Sequence, residues 1–462
     1  MEHAVLALTL LSIALLGPGA PAAFLPASAP TAPTAVQAQR FADLGLTIQP
    51  PPLEGLAFQA APGERLAGSW SGRLGARSVE IFLAVFPAQS FRFVEAEEVS
   101  EFLRSDLRER ADWTLEEWDS RAPLAGAYGA SPIAALATGT LRLQAAPRGS
   151  IVVLTGITAE HGYALQAFVD APEDGAERRA LTEWARKAVT YDGKQRDPRW
   201  TDGEARARWQ AFAPASAAAK LEAPIRTAHF LILTNSSGGK AFAKKMEDYY
   251  ALIQRTYPFP ELPGRRLMPV FLFRTQDEYY EFSVKAANMS RAAAEATAGH
   301  AFRDYYATTY EAPNDPVHVH EATHQIFGNR LFLDGGGSWF QEGVAEYLSS
   351  KPNERNAAAR AVKKGRHVPL REFVAMPELI AGRGGADKSG EDEAGSNYEQ
   401  AALLVEFLRE SKWSAPHFQE LVRGIGLAPS NDVAAVERVL QRVLGVGLDG
   451  LEERWVEYCK KR

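Results

Sequence analysis

Five residues in the second half of the chain have the types and spacing to do chemistry: His320, Glu321, His324, Glu342 and Glu346. His320-Glu321-Ala322-Thr323-His324 is an HExxH pattern. On an α-helix, positions i and i+4 lie one above the other on one face. His320 and His324 can therefore each offer an imidazole nitrogen to one metal ion, at about 2.0–2.1 Å. Glu321, beside the first ligand, is placed to act as general base toward a water activated by that ion. Downstream, Glu342 and Glu346 fall one turn apart on a shared face. One carboxylate is expected to be the third ligand, and Glu342 is favoured because Glu346 sits one turn deeper. The other is expected to accept a hydrogen bond from a ligand histidine's second ring nitrogen; spacing alone leaves the two roles exchangeable. The set suits Zn2+, one ion per chain. His318 points to another helical face and reads as structural.

These side chains need three helices to hold them. Asp315-Pro316 supplies an N-cap and a first-turn proline, and Gly328-Asn329 a stop, which predicts a short helix about three turns long. Gly335-Gly336-Gly337 predicts a flexible turn, and Ser338 with Gln341 a capping box opening the carboxylate helix. Ser396-Asn397-Tyr398-Glu399 reads as another capping box, opening a helix through Leu408. Tyr398, Ala401, Val405 and Leu408 share one face of it, so the pattern alone makes Tyr398 the first aromatic of a core stripe.

The segments His320–Asn329 and Trp339-Phe340-Gln341-Glu342-Gly343-Val344-Ala345-Glu346-Tyr347 resemble the gluzincin metallopeptidases. The likeness is strongest to the HExxHQxFGN…WxNEGxAxY pattern of the aminopeptidase and leukotriene-hydrolase branch, over about thirty residues. It extends more loosely from about residue 226 onward, and also to secreted bacterial gluzincin-like proteins whose substrates are not established. The resemblance implies zinc on His320, His324 and Glu342, with Glu321 as general base. It also implies a thermolysin-like catalytic domain, an edge-stranded sheet lobe followed by a helical C-terminal lobe. Tyr398 resembles the tyrosine of the family's YExG-type helix, which stabilises the oxyanion of the tetrahedral intermediate; a fixed donor in a water-poor cleft serves that purpose. Three departures matter. The stretch between His324 and Glu342 is one residue shorter than in that branch, Ala401 replaces a glycine, and the GxMEN segment that holds a substrate's free amino terminus is missing, with Ala298–Asp304 in its place. Aminopeptidase specificity is therefore not supported.

The rest of the chain sets the context. Residues 1–38 read as a secretory signal, with the mostly apolar run Val5–Leu16 followed by small residues and cleavage after Ala22 or Ala38. Such a run is too short to span a bilayer, and the protein is expected to be exported, periplasmic or extracellular, with no membrane attachment after signal removal. The single cysteine, Cys459, allows no internal disulfide. A net charge of −6 and the lack of a long basic run argue against nucleic acid as a partner. The fold class expected is α+β, with residues 42–193 as an accessory domain of sheet and flanking helices. That domain resembles photosystem-associated PsbP-like domains by fold-level analogy only. Residues 194–225 read as a polar, alanine-rich linker, and 226–462 as the peptidase-like domain. Within it, His300–Tyr310 reads as an edge strand able to pair with an extended peptide, and 381–397 as a mobile loop. The expected function is a secreted zinc peptidase acting on a peptide or protein. In that mechanism Glu321 takes a proton from water and passes it to the leaving amine. A zinc hydrolase of a non-peptide bond and a zinc-holding binding protein without turnover are the alternatives.

Overall fold

Continuous apolar runs such as Ser150-Ile151-Val152-Val153-Leu154 and Met268-Pro269-Val270-Phe271-Leu272-Phe273 can be strands only where both faces of a sheet are covered, and the fold is built around two such sheets. The computed structural model describes residues 37–60, 65–109, 113–121, 134–143, 149–169, 175–192, 201–302, 305–379 and 388–462. The expected signal segment thus lies almost wholly outside the described residues. The chain is mixed α and β, sheet-rich in its N-terminal region and helical in its C-terminal region. It divides into two compact units: Met1–Asp197 with Pro260–Arg265, and Pro198–Phe259 with Arg266–Arg462.

In the first unit, seven antiparallel strands run in the spatial order Glu54–Ala60, Leu66–Leu74, Arg77–Pro87, His161–Val169, Gly149–Ile157, Ala134–Leu143 and Trp113–Arg121. One face packs Ile151 and Val153 with Val99, Leu103 and Leu107 of the helix Ala96–Arg108. The other packs Val152 and Leu154 with Leu181 and Ala185 of the helix Ala176–Ala185, and with Leu46 and Ile48 of a small three-stranded sheet. The helix Ala96–Arg108 is followed by a strand from Trp113 onward. The alternation Trp113-Thr114-Leu115 suits a pleated edge and pairs with Ala134–Leu143.

The second unit centres on five strands in the order Ile225–Arg226, Phe230–Thr234, Met268–Phe273, Tyr306–Thr309, Gly299–Ala301. The middle three are parallel and the two outer pairings antiparallel. Phe230, Ile232, Val270 and Leu272 face the core shared with the helix Gly239–Thr256 and the HExxH helix. Leu231, Leu233, Phe271 and Phe273 face a second cluster on the opposite side. That cluster corrects the linker reading of 194–225. Residues Asp202–Phe212 and Ala215–Ala218 are helices of the second unit. Trp209 is fully buried, its ring stacked on Phe273 at 4.7 Å. Thr201 caps the first helix in a reciprocal capping box with Glu204. Alanine-rich composition looked like a tether, but alanine is also the best helix former, and one tryptophan on a sheet supplies the burial that settles the matter.

The segment His300–Tyr310 is likewise not one strand. It forms two strands of a hairpin, with Gly299–Ala301 at the sheet edge and Tyr306–Thr309 inside the sheet. Replacing Trp209 by Ala is expected to cost about 3–5 kcal/mol, as for other buried aromatics. Urea unfolding followed by circular dichroism measures this, and a loss under about 1 kcal/mol would return the segment to a linker's role.

Candidate metal centre

Asp315 opens the HExxH helix as its sequence implies, its carboxylate accepting from the Val317 amide at 3.0 Å with Pro316 in the first turn. The helix runs Pro316–Ile326 but does not stop at Gly328-Asn329. It continues as a π-helical turn, Phe327–Leu331, and ends at Phe332 in the left-handed region with φ 54°. The Asn329 side chain bonds across this turn. Its Nδ2 donates back to the Gln325 carbonyl at 2.9 Å, and its Oδ1 accepts from Arg266 at 2.6 Å.

On this helix His320 and His324 bring their Nε2 atoms to 3.1 Å. Glu342 Oε2 stands 3.2 Å from His320 Nε2 and 3.6 Å from His324 Nε2. Donors bound tetrahedrally at about 2.0–2.2 Å lie roughly 3.3–3.6 Å apart, and the three separations fall within a few tenths of an ångström of that span, which suits one shared ion. Among the described residues, His320, His324 and Glu342 are the group of His, Cys, Asp and Glu able to hold a metal. The remaining carboxylate takes the other role. Glu346 Oε1 lies 3.3 Å from His320 Nδ1, and its Oε2 accepts from Ser349 Oγ at 3.1 Å. His318 is elsewhere: fully buried, it lies 2.8 Å from the Tyr306 hydroxyl and 3.0 Å from the Ala312 carbonyl. Burial lowers its pKa to about 4, so it is a neutral bridge between strand and helix.

The electrostatics of the cluster favour positive charge at its centre. Burial alone would raise the Glu342 carboxyl and lower His320, yet Glu342 is lowered by His324 and His320, and His320 is raised by Glu342 and Glu346. Glu321 behaves oppositely. Burial pushes its carboxyl above the usual range, against the opposing pull of His320 and His324 and, more weakly, of the Ala301 backbone in the edge strand. A carboxylate so placed holds a proton more readily than one in water, which suits a general base. Gly299 makes room for it: a Cβ there would stand 3.3 Å from Glu321 Cγ.

The carboxylate helix, Ser338–Ser349, begins without the expected capping box. Gly337, at φ 87°, is the cap position. Ser338 Oγ instead accepts from the Leu379 amide at 3.2 Å, and Gln341 Nε2 donates to the Gly335 carbonyl at 2.7 Å. The Tyr398 helix also departs from expectation. It spans Lys388–Glu410, so Ser396 lies inside it rather than at its start, and 388–397 is helical rather than loop; residues 380–387 lie outside the described residues. Its contact with the carboxylate helix is set by Gly343, where a Cβ would lie 3.0 Å from the Ala401 carbonyl. Tyr398 stands one turn before Ala401, half-buried against the main core. Glu399 beside it is raised first by burial, then by the charges of Glu354 and Glu346, which puts this turn within electrostatic reach of the cluster.

Sequence reasoning missed two contributors, the Ala301 backbone and the Tyr306 hydroxyl. Both act across the fold, from strand to helix, and only the small residue at Gly299 hinted at a close approach. The sequence matches no protein-family model and no curated protein.

The purified chain is expected to carry about one zinc, and His320→Ala or His324→Ala to empty the site. Glu342→Gln should weaken binding more than Glu346→Gln, which is expected to cost about 10–100-fold. Because the ion must displace the proton favoured on His320, affinity should rise from pH 6 to pH 8. Chelator competition with elemental analysis reads all three. Full zinc in both histidine variants, or a larger loss for Glu346→Gln, would contradict the assignment.

Proposed function

We propose that this chain is a zinc-dependent peptidase that hydrolyses peptide bonds. The observation that carries the reading is the set of three donor separations, 3.1, 3.2 and 3.6 Å, around one point. Two imidazoles and one carboxylate are a donor set that leaves one position open, as catalytic zinc sites do. Zinc so held supplies Lewis acidity, polarising a carbonyl and making water acidic enough to give up a proton near neutrality.

The chain's own residues carry the other steps. Glu321, raised by burial, receives the proton of the attacking water and returns it to the leaving amine. Glu346 orients His320 through Nδ1, leaving Nε2 for the ion. Tyr398 is the proposed donor to the oxyanion. Gly299–Ala301, at the sheet edge and against Glu321, is suited to align an extended peptide by main-chain pairing. The likeness to gluzincins and the thermolysin-like arrangement of lobes belong to this same reading. The stretch Ala298–Asp304 lacks the GxMEN segment with which aminopeptidases hold a free amino terminus, so aminopeptidase specificity is not part of the proposal. Export is part of the proposal, and no helix among the described residues is long and apolar enough to cross a membrane. The intact Glu321 weighs against a zinc-holding protein without turnover, since a structural site needs no base.

A peptide library screened by mass spectrometry tests the reading. Wild-type protein is expected to cleave, Glu321→Gln to keep zinc while losing turnover, and Tyr398→Phe to retain a rate reduced by about 10²–10³. Wild-type rates in zinc-loaded Glu321→Gln would overturn the mechanism. No cleavage of any peptide or protein by zinc-loaded wild type would favour the binding-protein reading.

A further inference from the structure

The edge strand beside the metal centre, Gly299–Ala301, is three residues long, and its main chain and side chains face different ways. Phe302 and Tyr305 exchange both backbone hydrogen bonds, at 2.8 and 3.2 Å. In an antiparallel pair, bonded and non-bonded partners alternate. His300 opposite Ala307 is therefore a bonded pair, whereas Ala301 opposite Tyr306 and Gly299 opposite Thr308 are not. The N–H and C=O groups of Gly299 and Ala301 thus point outward, at the open end of the strand order among the described residues. Their side-chain face turns to the HExxH helix, where a Cβ on Gly299 would stand 3.3 Å from Glu321 Cγ.

His300 points to the opposite face, into a run of hydroxyl groups. Its Nδ1 lies 3.1 Å from Tyr279 Oη and 3.5 Å from Ser283 Oγ, and its Nε2 lies 3.4 Å from the Tyr305 hydroxyl. Burial lowers its pKa to about 4, so the ring carries a single N–H. The neighbouring hydroxyls decide which nitrogen bears it, because each has one hydrogen to give. Thr297 donates to the Ala294 carbonyl at 3.0 Å, and Ser283 to the Tyr279 carbonyl at 2.8 Å. Thr297 Oγ1, 2.8 Å from Tyr279 Oη, can then only accept from Tyr279. Tyr279 has no hydrogen left for His300, so Nδ1 is the donor and Nε2 the acceptor facing Tyr305. The result is a directed chain from His300 through Tyr279 and Thr297 to Ala294. It ties the strand to the helices Gln276–Ala286 and Arg291–Glu295.

We infer that His300 is a positioning residue for peptide hydrolysis: as the Nδ1–H tautomer it anchors the edge strand from behind, so that the outward main-chain groups of Gly299 and Ala301 meet an extended substrate beside Glu321. The inference rests on the peptidase reading above. A strand this short has few main-chain bonds of its own, and fixing it beforehand reduces the ordering cost of binding.

Steady-state cleavage of a long internally quenched peptide and of an N-blocked dipeptide amide, both built on the bond most readily cleaved in the peptide library, tests the role. His300→Phe keeps an aromatic ring between Tyr279 and Tyr305 but removes the N–H. It is expected to raise KM for the long peptide about threefold to tenfold, the range for one lost hydrogen bond. Zinc content and kcat should be retained, with a smaller change for the dipeptide. His300→Asn, whose amide can donate to Tyr279, should recover most of the loss. Tyr279→Phe should reproduce it, and covers the case in which His300→Phe does not fold. Long-range proton–nitrogen NMR of the wild type is expected to place hydrogen on Nδ1 of His300. Equal losses on both substrates, an unchanged KM in both phenylalanine variants, or hydrogen on Nε2 would each overturn the inference while leaving the peptidase reading intact. A zinc-loaded wild type that cleaves nothing would instead overturn that reading, and the positioning role with it.

Discussion

Three electron-pair donors aimed at one point repel one another unless a positive charge sits between them, and the second unit is organised to keep them there regardless. The separations of His320, His324 and Glu342 leave only tenths of an ångström of freedom if one ion is to be shared. Two donors come from one helix and are related by its geometry alone. The third arrives on another helix, so the real constraint is the spacing between two rods. Gly343, next to Glu342, lets the Lys388–Glu410 helix come close enough that an added Cβ would touch the Ala401 carbonyl. Trp339 and Phe340, both buried, pin the start of the carboxylate helix into the same core as Ile326 and Phe327. Packing at native density resists displacement in a way that hydrogen bonds alone do not.

A second layer of organisation concerns charge. Around His320 the neighbouring groups reinforce ionisation, with Glu346 on one side of it and Glu342 on the other. Around Glu321 burial dominates and the proton is held more tightly. Behind them, His318 and His300 are both lowered to about 4 by burial and serve as neutral hydrogen-bonding pieces. Four histidines within a short stretch of chain therefore have different tasks, and environment rather than residue type divides the labour.

The sequence revealed chemistry better than it revealed boundaries. HExxH and the downstream carboxylates are local patterns, so helical periodicity places them correctly before any fold is known. Asp315 and Pro316 also act locally and mark a true helix start. Ser338 and Ser396 carry the same signature without the same outcome. Ser338 accepts from Leu379, forty-one positions away, and Ser396 is passed over by a helix already under way. Capping propensity is a modest preference, and tertiary partners overrule it. The buried helix around Trp209 was hidden for the opposite reason: its burial depends on Phe273, more than sixty residues later. Glu342 and Glu346 were interchangeable on paper because both lie on one helical face, and only the distance to each ring nitrogen of His320 separates them.

All three donors fall within the 23 residues from His320 to Glu342. The central sheet instead pairs Phe230 with Met268 and Val270 with Tyr306, partners separated by somewhat more chain. Closing a short loop costs less entropy than closing a long one, and non-local pairings are the slow part of folding. A cation held by these three residues would therefore join two helices through a loop shorter than either strand pairing, and would act as a staple on their packing as well as a centre for chemistry.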